Sequence, residues 1–333
     1  TVLPEFLDLF RGSEASPGRV DASVLCRAVE ELASRQGLAN DPRLPRLQDW
    51  KQTSNEISLA DFQSLLSKSV LLEEAVSGHL AIPDFPSFCE RVEEAFRIAA
   101  GNQDGAVADY IPQLAKVSPE QWGVSVCSTS GQLFSLGDSA SPFCVQSTSK
   151  PITYCMALDL HGEAKVHRHV GHEPSGRNFN ERILKQPENI PHNPMINAGA
   201  IMTAALVKME ETEWDRFDYV MSVWKMLSGN RTPGFQNSTM MGERATAARN
   251  NCLAWMMVEA GAFPQEVQTK LEKVLEAYFS WCSIEVTCES MAVVAGTLAN
   301  GGICPTTGER VFSAGTVSRC LSLMASCGMY DYS

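Results

Sequence analysis

The chain has 333 residues, enough for two domains and at least one sizeable buried core. Apolar residues at 44% and charged residues at 20% are ordinary globular values, which argues against disorder and against a fibrous repeat. With 27 Lys and Arg against 39 Asp and Glu, the net charge of -12 disfavours nucleic acid and anionic membrane surfaces and favours a small-molecule substrate.

In chain order, residues 1–98 read as helices joined by loops. Phe6, Leu9 and Phe10 recur at helical spacing, as do Val24, Leu25, Ala28, Val29 and Leu32 behind a cap at Asp21. After Ser58, Phe62, Leu65, Leu66 and Val70 are expected on one face of a further helix. The pattern suggests two helix-loop-helix units of EF-hand type. The loops Gly12 to Asp21 and Lys51 to Glu56 nevertheless lack the spaced oxygen ligands that calcium needs. Pro83 and Pro86 mark the expected end of this module, and Gly101 to Gly105 the linker to a second unit at 105–333.

Beyond the linker the period changes from 3.6 to 2. Val124, Val126 and Leu133 alternate with small polar residues around Thr129-Ser130-Gly131, the pattern of an antiparallel hairpin. From Ser147 to Leu160 the pattern is helical again, with Pro151 in the first turn, where its missing N–H costs little. Further helices are expected over 197–209, 213–228, 243–261 and 283–300, the last closed by Gly301-Gly302. A hairpin followed by a helical region implies an α+β domain.

The 11 cysteines are odd in number and form no C-x-x-C pair, the usage of reduced thiols in a cytosolic or organelle-matrix setting. Cys155 and Cys252 lie in apolar stretches and read as small core residues. No segment has the apolar length of a membrane span, and the first residues show neither a signal nor a transit pattern, although Thr1 is not a methionine. His161, His167, His169, His172 and His192 lack a zinc-binding H-E-x-x-H helix and read as surface or packing residues. The Glu73-Glu74 and Glu93-Glu94 pairs read as solvated helix faces.

The chemistry centres on Ser147-Thr148-Ser149-Lys150, an S-x-x-K element at a helix start that puts Ser147 and Lys150 on one face. A serine hydroxyl is a weak nucleophile at neutral pH. A desolvated lysine can supply the neutral amine that takes its proton, and the Ser147 N–H, at a helix N-terminus, suits a developing oxyanion. The motif alone is short. Its position after a hairpin matches the β-lactamase-like serine hydrolases.

Longer segments carry more. Asp109-Tyr110-Ile111-Pro112-Gln113-Leu114-Ala115-Lys116, Phe143 to Pro151, Glu173-Pro174-Ser175-Gly176, His192 to Ala200, Cys282 to Ser290 and Ser326 to Asp331 closely resemble the vertebrate-type, phosphate-activated glutaminases of kidney and liver. The likeness is strong over 105–333 and weaker before it. It implies a β-lactamase/transpeptidase-like catalytic fold that hydrolyses L-glutamine to L-glutamate and ammonia with no metal or organic cofactor. It also implies inorganic phosphate as activator, a homo-oligomer (dimer or tetramer) and a mitochondrial location, with the cytoplasm as the alternative.

Residue by residue, the resemblance places the nucleophile on Ser147, the base on Lys150 and proton-relaying tyrosines on Tyr278 and Tyr330. Tyr110, Asn197, Glu243 and Asn250 fall on substrate-binding positions, together with Ser147, Tyr278 and Tyr330. Glu243 supplies an acceptor for the substrate ammonium, and the asparagine amides donate or accept. Glu243 and Asn250, seven apart, are expected on one side of a single helix. Asn251-Cys252-Leu253-Ala254-Trp255-Met256 lacks the tyrosines usual at the matching oligomer-interface positions, which weakens the case for phosphate regulation.

The resemblance further implies a K-S-G-type strand after Tyr330 that donates a backbone N–H to the oxyanion, whereas the sequence ends at Ser333. The expectation is a C-terminally truncated catalytic domain lacking those strands. Loss of one such donor costs ~2.7–4 kcal/mol of transition-state stabilisation. The alternative expectation is a catalytically impaired subunit acting in substrate binding or oligomerisation. A β-lactam-hydrolysing or transpeptidase enzyme shares only S-x-x-K and the hairpin.

Overall fold

The computed structural model describes residues 2–11, 18–45 and 55–328. The N-terminal part is built from α1 (Pro4–Arg11), β1 (Arg19–Asp21), α2 (Ala22–Arg35), β2 (Glu56–Ser58), α3 (Leu59–Leu66) and α4 (Val70–Ser77). The two short strands pair antiparallel with Val20 opposite Ile57. Phe62 packs its ring against Phe6 and Phe10 at centroid distances of 6.0 and 5.8 Å, closing a small separate core. Asp21 caps α2 through the Ser23 N–H at 2.7 Å, and Ser58 with Asp61 forms a capping box on α3.

One expectation fails here. The helix after Ser58 stops at Leu66, and Val70, expected on its apolar face, begins α4 and is 72% exposed. The sequence Ser67-Lys68-Ser69 explains the break, because Ser69 accepts the Leu72 N–H and starts a new helix. Val24 likewise points outward although it recurs at helical spacing.

Pro86 does not end the helical part. It sits in the first turn of α5 (Phe85–Ala99), capped by Asp84, where its missing N–H has no helical partner to lose. Helix α5 buries only Phe85 along its length and stacks Phe96 on Trp122. The first residues of this region are joined to the following hairpin by a polar contact. The fully buried Gln132 amide donates to Ile82 O at 3.0 Å and Gln36 Oε1 at 3.2 Å, and its Oε1 accepts from Ile82 N at 3.0 Å. Leu133 N donates to Gly37 O at 2.9 Å. Gly37 is required there, since it has φ +68 and any Cβ would strike the Phe85 ring.

The hairpin is β3 (Gly123–Cys127) and β4 (Leu133–Gly137), with Val124 opposite Leu136. A second, three-stranded sheet has the order β5 (Phe143–Cys144), β7 (Ile284–Val286), β6 (Gly234–Phe235), antiparallel throughout. The helices are α6 (Lys150–His161), α7 (Glu163–Val166), α8 (Asn197–Leu206), α9 (Glu213–Leu227), α10 (Asn237–Ala245), α11 (Ala248–Glu259), α12 (Leu271–Cys282), α13 (Cys288–Ala299) and α14 (Ala314–Cys327). The architecture is thus mixed helix and sheet.

Helix α6 packs on α8 and α14, and α8 in turn on α11 and α12. Residues Ile152 to Leu158 of α6 and Ala198 to Leu206 of α8 are buried without interruption, the signature of helices enclosed on all sides rather than lying on a surface. Their first residues, Lys150 and Asn197, therefore stand on rigid supports. The expected helix over 283–300 is instead strand then helix. Ile284 and Val286 point inward with Glu285 between them, and Thr287 caps α13 through the Ser290 N–H at 3.1 Å. Among the described residues no helix is long and apolar enough to cross a membrane.

Candidate active site

Ser147 does not lie in the α-helix that the S-x-x-K pattern implies. Residues Gln146–Ser149 form a 3-10 turn, and α6 begins at Lys150. Gln146, whose φ of 47 lies in the left-handed region, keeps a helix from running back through it toward β5. Such a conformation costs a non-glycine residue about 1–2 kcal/mol. The neighbouring bonds hold it in place: Val145 N to Ile284 O at 2.9 Å, Thr148 N to Val145 O at 3.0 Å, and Ser149 Oγ to Gln146 O at 2.7 Å. The serine is thereby presented on a tight turn between β5 and α6, half-buried at the wall of a cavity of about 870 Å³.

Lys150 is 3% exposed. Its Nζ donates to Asn197 Oδ1 at 2.8 Å, and Asn197 Nδ2 donates to Asn250 Oδ1 at 3.0 Å. The Phe179 ring lies 5.6 Å from the same nitrogen. Burial holds the ammonium well below its ordinary range, down to about 8, with the Cys282 thiol opposing this weakly. At pH 7.4 roughly a fifth of such an amine is neutral, against about a thousandth at 10.5. A proton acceptor within the working pH range is thus present in the cavity that Ser147 lines.

Glu243 is also buried, and loss of hydration raises its carboxyl above the usual carboxylate range. The Gln146 side chain partly offsets this, although its Nε2 is buried without a hydrogen bond of normal geometry. Glu243 makes no ion pair among the described residues. A buried carboxylate without a counter-charge is costly, and a cationic ligand in the cavity would relieve that cost. Tyr278, 7% exposed, is raised well above the ordinary phenol value by burial first and by the nearby Cys282 next, so its hydroxyl stays a donor.

The cavity wall collects Ser147, Lys150, Asn197, Glu243, Asn250, Tyr278 and Tyr110, which come from six helices or turns and one loop. Tyr110 is 58% exposed and stands at the mouth. The strip after it docks on α10 where Gly242 leaves room for the Gln113 side chain. Tyr330 lies outside the described residues.

Glu243 and Asn250 do not share a helix as their spacing suggests. Helix α10 ends at Ala245 and α11 begins at Ala248. The Thr246 N–H and hydroxyl both donate to Gly242 O, at 3.1 and 3.0 Å, and the chain turns before Ala248 starts the next helix. The two residues still line one cavity.

Sequence reasoning did not select Gln146, Phe179, Arg249 or Cys282 among the lining residues. Gln146 had a signal in its place beside the serine, and Cys282 in opening a segment of the family resemblance. Cys252, expected in the core, is exposed on α11, while Cys155 is buried. The histidines pack: His167 accepts from the Tyr154 hydroxyl at 3.0 Å, and His169 donates to Ala262 O at 3.0 Å. Among the described residues no group of three His, Cys, Asp or Glu could hold a metal.

A family model described as Glutaminase matches residues 105–333. The mouse liver-isoform mitochondrial glutaminase is 45% identical over 302 residues, covering 88% of this chain and 50% of that protein. A glutaminase of Microcystis aeruginosa is 39% identical over 231 residues, 69% of this chain and 67% of that protein. The crystal structure of Mglu in its glutamate form superposes with a TM-score of 0.68 at 35% identity, covering 73% of this chain and 55% of that one. The chain spans about half the length of the mouse relative.

Proposed function

We propose, from the premise that this chain belongs to the glutaminase family, that it hydrolyses the side-chain amide of L-glutamine to L-glutamate and ammonia through an acyl-enzyme on Ser147. The observation that carries the reading is the buried Lys150 amine, held by Asn197 at 2.8 Å and brought down to about 8, in the cavity that Ser147 lines. The neutral amine takes the Ser147 proton as Oγ attacks the side-chain carbonyl. The C–N bond then breaks, and ammonia departs after receiving a proton through Tyr278 or Lys150. Water next hydrolyses the glutamyl ester, releasing glutamate and restoring the serine.

Glu243 meets the substrate ammonium, and Asn197, Asn250 and Tyr110 orient the amino-acid end. The Ser147 N–H supplies one oxyanion donor, and the tyrosine relay extends to Tyr330. A β-lactamase/transpeptidase-like catalytic fold is supported by the antiparallel sheet whose β5 leads through the Gln146–Ser149 turn into α6, and an EF-hand-like N-terminal module by the paired strands β1 and β2 that precede α2 and α3. Mitochondrial location is supported by the names of the mouse and rat relatives. Activation by inorganic phosphate and assembly into a homo-oligomer rest on the family resemblance.

Ammonia release from L-glutamine by the parent chain and by Ser147→Ala tests the assignment. Activity in the parent that vanishes in the variant supports it, and full activity in Ser147→Ala overturns it. Ser149→Ala is a poor control, because the Ser149 hydroxyl holds the Gln146 carbonyl. Exposed Ser318→Ala serves instead.

A further inference from the structure

Lys150, Asn197 and Asn250 stand in the first turns of three different helices, α6, α8 and α11, yet their side chains form one chain of hydrogen bonds. Lys150 Nζ donates to Asn197 Oδ1 at 2.8 Å, and Asn197 Nδ2 donates to Asn250 Oδ1 at 3.0 Å. The Asn197 backbone is itself fixed, because its N–H donates to Phe179 O at 2.9 Å. All three side chains line the cavity with Ser147.

The polarity of this chain follows from one member. An ammonium is a donor only, so Asn197 has to turn its oxygen to Lys150 and its nitrogen away. Asn250 then has to turn its own oxygen to Asn197. That leaves the Asn250 nitrogen, which donates to no group among the described residues, for the cavity.

The constraint lapses when Lys150 is neutral, the form in which it acts as a base. An amine both donates and accepts, so the two carboxamides could then turn over together, with Asn250 Nδ2 donating to Asn197 Oδ1 and Asn197 Nδ2 donating to the Lys150 lone pair. The reversed chain has as many hydrogen bonds as the first. It also occupies the lone pair that has to receive the Ser147 proton, which disables the base. The polarity must therefore be held from the far end, at Asn250 Nδ2. An anionic acceptor there keeps the nitrogen toward the ligand and the oxygen toward Asn197. The acceptor that the proposed substrate brings is its α-carboxylate.

We propose that Asn250 is a positioning residue for the base as well as a contact of the substrate: by holding a ligand carboxylate on Nδ2 it keeps Oδ1 on Asn197, and through Asn197 it leaves the Lys150 lone pair available to Ser147. Recognition of the carboxylate is thereby coupled to the readiness of the nucleophile. The kinetic consequences rest on the glutaminase reading, while the hold of Asn250 on Asn197 does not.

Two substitutions separate this role from binding alone. Asn250→Asp and Asn250→Ala both lose the Nδ2 donor, but the aspartate, of equal shape, keeps an acceptor on Asn197 that cannot reverse, whereas the alanine keeps none. The KM for glutamine is expected to rise about tenfold or more in both. At the alkaline plateau of each protein, kcat is expected to fall about thirtyfold in Asn250→Ala and about threefold at most in Asn250→Asp. With 4-aminobutanamide, which is glutamine without its carboxylate, the parent is expected to show a kcat about tenfold below that for glutamine, and Asn250→Asp a difference within about twofold. Hydrogen exchange of the Asn197 side-chain amide, followed by NMR with its signals identified by their loss in Asn197→Asp, needs no turnover. It is expected to be about tenfold faster in Asn250→Ala and within about threefold of the parent in Asn250→Asp.

The proposal is overturned if Asn250→Ala, folded by circular dichroism, keeps kcat or Asn197 exchange within about threefold of the parent. A kcat in Asn250→Asp as low as in Asn250→Ala overturns it as well, since the lost donor alone would then account for both. If the parent releases no ammonia from glutamine, the glutaminase reading fails, and the exchange still decides whether Asn250 holds Asn197.

Discussion

Replacing Lys150 by Met tests whether this fold holds its base at a cost to its own stability. The ammonium lies at about 8 in the fold against 10.5 in an unfolded chain, and it is buried. At about 1.4 kcal/mol per pH unit, the folded protein carries a penalty of about 3 kcal/mol at pH 7.4, where most of the amine is still charged. The unfolded chain binds the proton more tightly, so between about 8 and 10.5 stability from this group rises with pH, and it is lost again as pH falls through 8. By pH 9.5 the remaining penalty is about 1.4 kcal/mol.

Met fills the same volume without charge, and it forfeits the bond to Asn197 at 2.8 Å, which contributes about 1 kcal/mol. Lys150→Met is therefore expected to be more stable than the parent by about 2 kcal/mol at pH 7.4 and by less than about 0.5 kcal/mol at pH 9.5. Urea unfolding of both proteins at pH 7.4, 8.5 and 9.5 measures the gap, and comparing the two cancels every other titrating group. The variant releases no ammonia from glutamine. A gap that stays constant or widens with pH refutes the reasoning, because it means that Lys150 is not held below its ordinary value.

Glu243→Gln keeps the shape of the side chain and removes the buried charge. The KM for glutamine is expected to rise thirtyfold or more, the loss of about 2–5 kcal/mol that follows removal of one partner of a buried ion pair, while the urea midpoint of the ligand-free protein holds or rises because burial already disfavours the carboxylate. A KM within twofold of the parent in steady-state assays would remove Glu243 from the ammonium site. Gly199→Ala drives a methyl into the Asn193 carbonyl two residues beyond Asn197. It is expected to cost about 1–3 kcal/mol in urea unfolding, and to lower kcat by displacing the Asn197 amide that holds Lys150; a fully stable, fully active variant contradicts the close packing.

Most of the residues singled out in the sequence line one cavity, but their local geometry differs from the expectation. Lys150, Asn197, Glu243, Asn250, Tyr110 and Tyr278 all line the one cavity with Ser147, because the family pattern preserves residue types at positions that only meet in three dimensions. The 3-10 turn at Gln146–Ser149 was not legible, since it depends on a glutamine in a left-handed conformation that local propensity gives to Gly or Asn. The seven-residue spacing of Glu243 and Asn250 fits two turns of helix, yet one helix ends at Ala245 and the next starts at Ala248, a break that the residues between do not announce. Phe179 carried no pattern at all, and Cys282 entered only as the first residue of a segment that resembles the glutaminases. Phe179 reaches Lys150 from a loop whose Phe179 O accepts the Asn197 N–H at 2.9 Å, a contact set by tertiary packing alone.

Lys150 and Glu243 are perturbed in opposite directions by one cause. Both sit in a poorly hydrated cavity, which lowers the ammonium and raises the carboxyl toward their neutral forms. Under the proposed function the two needs differ: a base works when neutral, an acceptor of a substrate ammonium when ionised. An arriving ammonium resolves the conflict, because it favours the charged form of Glu243. The positive charge it brings is matched by that carboxylate, so the Lys150 amine stays governed by burial rather than by added charge. A carboxamide without the ammonium leaves Glu243 without a counter-charge, which makes the distinction between glutamine and simple amides a matter of KM first.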